Sequence, residues 1–206
     1  MDTQIQDYLQ YTAKMAKSMM DKAFFVDKII TTNIVDFGCA DGSLLKFIKG
    51  LLPDDSILIG YDQDPKMLME AKRNFQNGIF YSDWKKVLEH CNAIPFSVVC
   101  SSLMHEVYHY SSKAEIVEFW ERIFSGTFEY IIIRDMCPSR SIDRPADVND
   151  VAKIYQAFLY KQELRDFETT WGSVENNKNL IHFLLKCKYI QPNWAREVKE
   201  NYMPLY

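Results

Sequence analysis

The stretch Ile34-Val35-Asp36-Phe37-Gly38-Cys39-Ala40-Asp41-Gly42, running into Ser43-Leu44-Leu45-Lys46-Phe47-Ile48, decides the fold. Two apolar residues lead to an acid and then to small residues, and an amphipathic helical pattern opens at once. A buried parallel strand turning sharply into a helix reads this way, and the amino end of such a helix accepts a ligand. Asp36, Gly38, Ala40 and Gly42 fall at every second position, giving D-x-G-x-A-x-G.

Working outward, Ile5, Tyr8, Leu9, Thr12, Met15 and Met19 recur at three- and four-residue steps and predict a helix over 3–20. A second helical stretch is expected over 21–30, and the helix opening at Ser43 is expected to run to Leu52, before Pro53. Further strands are expected at 56–62, 78–83, 95–100 and 130–134. Between them, Asp64-Pro65 is a helix start with a capping acid and a proline at the first helical position. Asp83 is a start of the same kind for a helix over 84–90. Ser112-Lys-Ala-Glu115 is a capping box ahead of Ile116, Phe119, Trp120 and Ile123, with Gly126 closing that helix. Unbroken apolar strands alternating with helices imply a parallel sheet covered on both faces. Beyond Asp135 the pattern becomes helical, over 147–166, 176–188 and 193–203.

With 206 residues and 48% hydrophobic content, one packed domain is expected. It comprises a helical lead (1–32), a core (33–135) and a helical tail (136–206). A net charge of −4 disfavours nucleic acid as a partner. Cys39, Cys91, Cys100, Cys137 and Cys187 stand singly, which reads as free thiols in a reducing, cytoplasmic setting, with no metal site. No apolar run reaches the roughly 20 residues of a membrane span. The amino terminus lacks the basic start and apolar centre of a signal peptide.

The loop at 36–42 resembles the first motif of class I S-adenosylmethionine-dependent methyltransferases, an acid-x-Gly-x-Gly-x-Gly with Ala40 in place of the middle glycine. Gly60-Tyr-Asp62-Gln63-Asp64-Pro-Lys-Met67 looks like the second motif, Ser82-Asp83-Trp84 like the third, and Ser97–Tyr110 covers the fourth. The likeness spans residues 34–135, about half the chain. It implies a Rossmann-like three-layer α/β sandwich with a mostly parallel sheet. The antiparallel strand pair that usually ends that fold has no candidate here, so either helices replace it or the chain stops before it.

The resemblance places S-adenosyl-L-methionine at Asp36, Gly38, Cys39, Ala40, Gly42, Asp62, Gln63, Met67, Ser82, Asp83, Trp84 and Ser101. Loop amides would approach the carboxylate, Asp36 would favour the ammonium, and Asp62 would accept from the ribose hydroxyls. Asp83 is either an acceptor for the adenine amino group or only a helix cap, and Trp84 lies either along the adenine or in the core. A nicotinamide fingerprint is disfavoured, since its G-x-G-x-x-G frame reads Gly38-Cys-Ala40-Asp-Gly-Ser43.

The Asn/Asp-Pro-Pro-aromatic signature of exocyclic-amine methylation is absent. In its place stands S-S-L-x-H-E-V, and His105 is either a base or substrate contact, or a structural histidine, with Glu106 fixing its tautomer or forming a separate contact. Arg134-Asp135 reads as a local ion pair. Tyr8 reads as core, while Tyr11 lies on the leading helix, which often closes over the cofactor in this family. Trp171-Gly172 and Asn193–Tyr202 read as solvated helix with anchoring aromatics or as substrate or partner contacts; His109 has no assigned role. The expected reaction moves a methyl group to oxygen or nitrogen of an acceptor, a small molecule or protein over nucleic acid. The alternative is a non-catalytic module of the same shape whose open sheet edge takes a protein partner or a second copy.

Overall fold

Ile34–Phe37 forms strand β1, buried at all four positions in the computed structural model, which describes residues 19–135 and 140–187. The chain divides into two compact units, Met1–Asp135 and Met136–Tyr206, and the boundary falls where the strand–helix alternation stops.

In the first unit, β1 is followed by α2 (Ser43–Lys49), β2 (Leu58–Tyr61), α3 (Pro65–Asn74), β3 (Ile79–Tyr81), α4 (Trp84–Cys91), β4 (Ser97–Ser101), α5 (Met104–Tyr110), α6 (Lys113–Phe124) and β5 (Tyr130–Arg134). A short turn of helix, α1 (Met19–Lys22), precedes β1. The sheet order is β3-β2-β1-β4-β5, with every pairing parallel. The connections reverse direction between β1 and β4, the switch point outside whose carboxyl strand ends ligands gather in such sheets. This is the expected Rossmann-like α/β architecture.

Alternation along the strands builds two cores. Ile34, Leu58, Val99 and Ile132 meet α2 and α3 through Leu45, Ile48, Leu68 and Ala71, together with Met19, Ala23 and Phe25 of the leading segment. Val35, Phe37, Ile59, Tyr61, Val98 and Cys100 meet Trp84, Val87, Phe119 and Ile123 on the opposite face. Leu45 and Ile48 are wholly buried, and truncating either to alanine costs about 2–5 kcal/mol.

Local signals hold where a cap is specified. Asp64 accepts from Lys66 N, Asp83 from Lys85 N, and Ser112 and Glu115 form the reciprocal capping box. Several expectations need correction. The stretch 21–30 is helical only to Lys22 and continues as turns to Lys28, because Ala23 and Phe25 must reach the core while Phe24 stays half exposed. Helix α2 stops at Lys49, short of Leu52. Helix α5 has no start signal in the sequence, since Leu103 at its N-cap offers no side-chain cap. The predicted helix 3–20 falls almost wholly outside the described residues, with Tyr8 and Tyr11, and so do helix 193–203, Cys137 and the side chain of His109.

The second unit holds α7 (Val148–Phe158), α8 (Gln162–Trp171) and α9 (Asn177–Lys186). The continuous helix expected over 147–166 is therefore broken at 159–161. Its apolar residues step from Phe158 to Leu164, a spacing that one straight helix cannot keep on a single face. Leu164, Phe167, Val174, Leu180 and Phe183 make a small core, and Trp171 packs 5.0 Å from Phe167 between ring centroids, an anchoring aromatic. After β5 the described residues contain no further strand, only an antiparallel bridge between Pro145 and Asn176. No helix among the described residues is long and apolar enough to cross a membrane.

Candidate functional site

Asp36, Ser101 and Arg134 lie on one face of the sheet, near the carboxyl ends of the adjacent strands β1, β4 and β5, by alternation from Ile34, Val99 and Ile132. That is the face against which the leading segment packs. The two non-glycine residues with positive φ among the described residues, Ala40 (45°) and Ser102 (58°), follow β1 and β4. Each left-handed alanine or serine costs about 1–2 kcal/mol, and such strain collects at functional sites. Ala40 thus takes a backbone conformation that the glycine it replaces would adopt without strain.

The loop after β1 is held from within. The amides of Gly38 and Cys39 donate to the Tyr61 carbonyl at 2.8 and 3.0 Å, and that of Gly42 to the Cys39 carbonyl at 2.9 Å. The Ala40 amide donates to Asp62 Oδ2 at 2.8 Å. These amides, which sequence reasoning reserved for a carboxylate, are spent inside the protein. Gly38 has φ 82°, which favours glycine in this turn, and a Cβ there would come 3.0 Å from Leu103 Cδ1, so the leucine would have to give way slightly.

Asp62 joins the two strand ends, since its Oδ1 also accepts from Asp64 N at 2.9 Å. Burial pushes its carboxyl up, against the pull of those two amides. Each oxygen retains a second lone pair directed at other donors. Burial also raises Asp36, to about 7; Lys22 opposes the rise, and the neighbouring Asp62 and Asp41 add to it. Burial holds the Cys39 thiol far above its ordinary range, so this cysteine packs rather than reacts.

Gln63 is exposed, with Nε2 3.5 Å from Tyr61 Oη, and Met67 is half-buried on α3. Ser82 is exposed at the end of β3, beside Asp83, whose carboxylate caps α4 at 3.0 Å. Trp84 is the departure: it is 7% exposed, ringed by Phe37, Tyr61 and Phe128, and donates its indole N–H to the Arg122 carbonyl at 2.9 Å. Its indole belongs to the core.

On the other side of the switch point the polar groups pair. His105 Nδ1 lies 2.7 Å from Asp135 Oδ1, and the His105 amide donates to Asp135 Oδ2 at 3.2 Å. The Asp135 side chain is 2% exposed and that of His105 13%. Glu106 stands 4.0 Å from Nε2, so the residue that fixes the ring is Asp135, not Glu106. The expected Arg134–Asp135 pair is likewise replaced: Arg134 donates to Ser102 Oγ at 3.0 Å. A carboxylate on Nδ1 keeps the proton there and leaves Nε2 as the basic nitrogen.

Sequence reasoning missed Lys22, 93% of which is buried on α1 close enough to feel Asp36 and Asp41. The Ser101 hydroxyl is also buried, with no hydrogen bond among the described residues. A buried ammonium, an orphaned hydroxyl and an acid at one strand end suit a small polar ligand, which is the test a zwitterionic amino-acid group sets.

No protein-family profile matches the chain. No curated protein matches it either. Among solved structures it is similar to the plantazolicin methyltransferase BpumL in complex with a desmethyl substrate analogue and S-adenosylhomocysteine, at 14% identity, covering 92% of this chain and 66% of that one, TM-score 0.44. It is similar to CalS10 of Micromonospora echinaspora, an amino pentose methyltransferase with S-adenosylmethionine bound, at 19% identity, 53% and 48% coverage, TM-score 0.39. A TehB-like S-adenosylmethionine-dependent methyltransferase of Corynebacterium glutamicum matches at 16% identity, 52% and 59% coverage, TM-score 0.37. The chain spans 48–66% of the length of these structures.

Proposed function

We propose that this chain is an S-adenosylmethionine-dependent methyltransferase acting on an oxygen or nitrogen of a small-molecule or peptide acceptor. The observation that carries the reading is the His105–Asp135 pair standing across the β1/β4 switch point from the loop 36–42 and Asp62. When bound, the cofactor supplies a methyl group on a sulfonium, open to in-line displacement. Asp62 would accept from the ribose hydroxyls while still tethering Ala40, and Asp36 would offset the ammonium. His105 Nε2 would take the proton from the acceptor O–H or N–H as the acceptor is methylated and the sulfonium departs as the neutral thioether. Asp135 holds the ring and stabilises the imidazolium that results.

Single-turnover methyl transfer at full cofactor occupancy tests the assignment. His105→Ala is expected to slow the step by about 10²–10⁴-fold while cofactor affinity stays unchanged. An unaltered rate removes His105 from the chemistry. A non-catalytic binding module is the second reading, favoured by β5, an edge strand among the described residues, with Ile131 and Ile133 two-fifths exposed. Turnover by the isolated chain decides against it.

A further inference from the structure

We infer that Lys22 is the counter-ion for the carboxylate at the amino-acid end of the methyl donor, and so sets the protein's preference for ligands that carry that end. The inference rests on the cofactor assignment above and adds to it a residue that no motif contains. Helix α1 packs on the sheet face that bears Asp36, Ser101 and Arg134, and Lys22 is turned into that packing. Its Nζ makes no hydrogen bond and no ion pair among the described residues, although Asp36, Arg134 and Asp41 all act on it through space, the two acids favouring its charge and the arginine opposing it.

Burying an ammonium without a partner costs several kcal/mol, and burial lowers the pKa of Lys22 accordingly, so a ligand carboxylate that favours the charged form recovers part of that cost. Asp36 is in the same condition, 3% exposed and with no hydrogen bond to its side chain among the described residues. An acid and a base buried on the same sheet face, each in the other's field but with no hydrogen bond or ion pair among the described residues, form the mirror image of a zwitterion. The ammonium end of an amino acid falls to Asp36 and its carboxylate to Lys22, with the unsatisfied Ser101 hydroxyl on the same face as a further donor. The loop supports this division, because the amides of Gly38, Cys39, Ala40 and Gly42 are already engaged and the carboxylate needs a donor from elsewhere.

The test compares S-adenosylhomocysteine with 5′-methylthioadenosine, which keeps the nucleoside and lacks the amino-acid end, by calorimetric titration of the full chain. The unsubstituted protein is expected to prefer S-adenosylhomocysteine, and Lys22→Met to erase roughly 10- to 100-fold of that preference, as for a lost charged hydrogen bond. Affinity for 5′-methylthioadenosine should stay within about twofold, and Lys22→Arg, which keeps the charge, should retain most of the preference. Thermal unfolding of the ligand-free protein gives an independent reading: Lys22→Met should melt higher, because it removes the desolvation cost of a buried ammonium that no hydrogen bond among the described residues offsets. A preference that survives Lys22→Met overturns the inference and leaves the cofactor assignment standing, and so does an equal loss for both ligands. Failure of the unsubstituted protein to bind either ligand overturns both.

Discussion

The two sides of the switch point handle buried charge in opposite ways. On the β4/β5 side His105 pairs with Asp135 and Arg134 donates to Ser102. On the β1 side Asp36 and Lys22 are more deeply buried as residues and make neither hydrogen bonds nor ion pairs among the described residues. A paired site is complete and holds its geometry for a proton transfer. An unpaired one is incomplete, and the free energy stored in it is released to a ligand that supplies the missing charges.

Neutralising one carboxylate on each side breaks or sharpens that contrast, and the expected effects have opposite signs. The native state holds the Asp36 proton up to about pH 7, whereas an unfolded chain releases it near 3.8. Between those values the folded protein binds more protons, so the stability contributed by this group is complete at low pH and is lost as pH rises through the window. Asp36→Asn should therefore flatten the falling limb and be the more stable protein at pH 8, by up to about 4 kcal/mol in urea unfolding. Asp135→Asn should instead destabilise by about 1–3 kcal/mol, since the amide oxygen can accept only one of the two His105 N–H bonds that the carboxylate accepts. Two parallel pH curves for Asp36→Asn and the unsubstituted protein would refute the contrast.

How far the sequence reveals this depends on the range of the interactions. β1 and β5 are legible to the residue because an apolar run bounded by glycine or charge is a local signal, and the Asp64, Asp83 and Ser112–Glu115 caps are local too. The partner of His105 lies thirty residues away and arrives only through the parallel register of β4 with β5, which sets Ser101 beside Arg134. Glu106, the neighbour in sequence, stands 4.0 Å from Nε2, which suits its other reading, a separate polar contact. Lys22 is illegible for a related reason: a lysine beside an acid in a helical stretch looks solvated until the face it turns to the sheet is known. Trp84 shows the converse limit, since an aromatic beside a motif reads equally as ligand platform or core.

The smallest expected effect concerns the strain that borders the unpaired side. Ala40→Gly relieves about 1–2 kcal/mol of left-handed strain and gives back about 0.4–1 kcal/mol through the looser unfolded chain. A net gain of about 0.5–1 kcal/mol, read as a small rise in Tm, is the expected outcome. A fall in Tm would mean that the alanine methyl contributes more packing than its conformation costs.

The most direct measurement is calorimetric titration of S-adenosylhomocysteine into the unsubstituted protein and into Asp62→Ala. Saturable one-site binding that Asp62→Ala weakens by about 1.5–3 kcal/mol is the predicted result. No heat of binding at millimolar ligand, or an affinity indifferent to Asp62, would contradict the claim that this strand end holds a methyl donor.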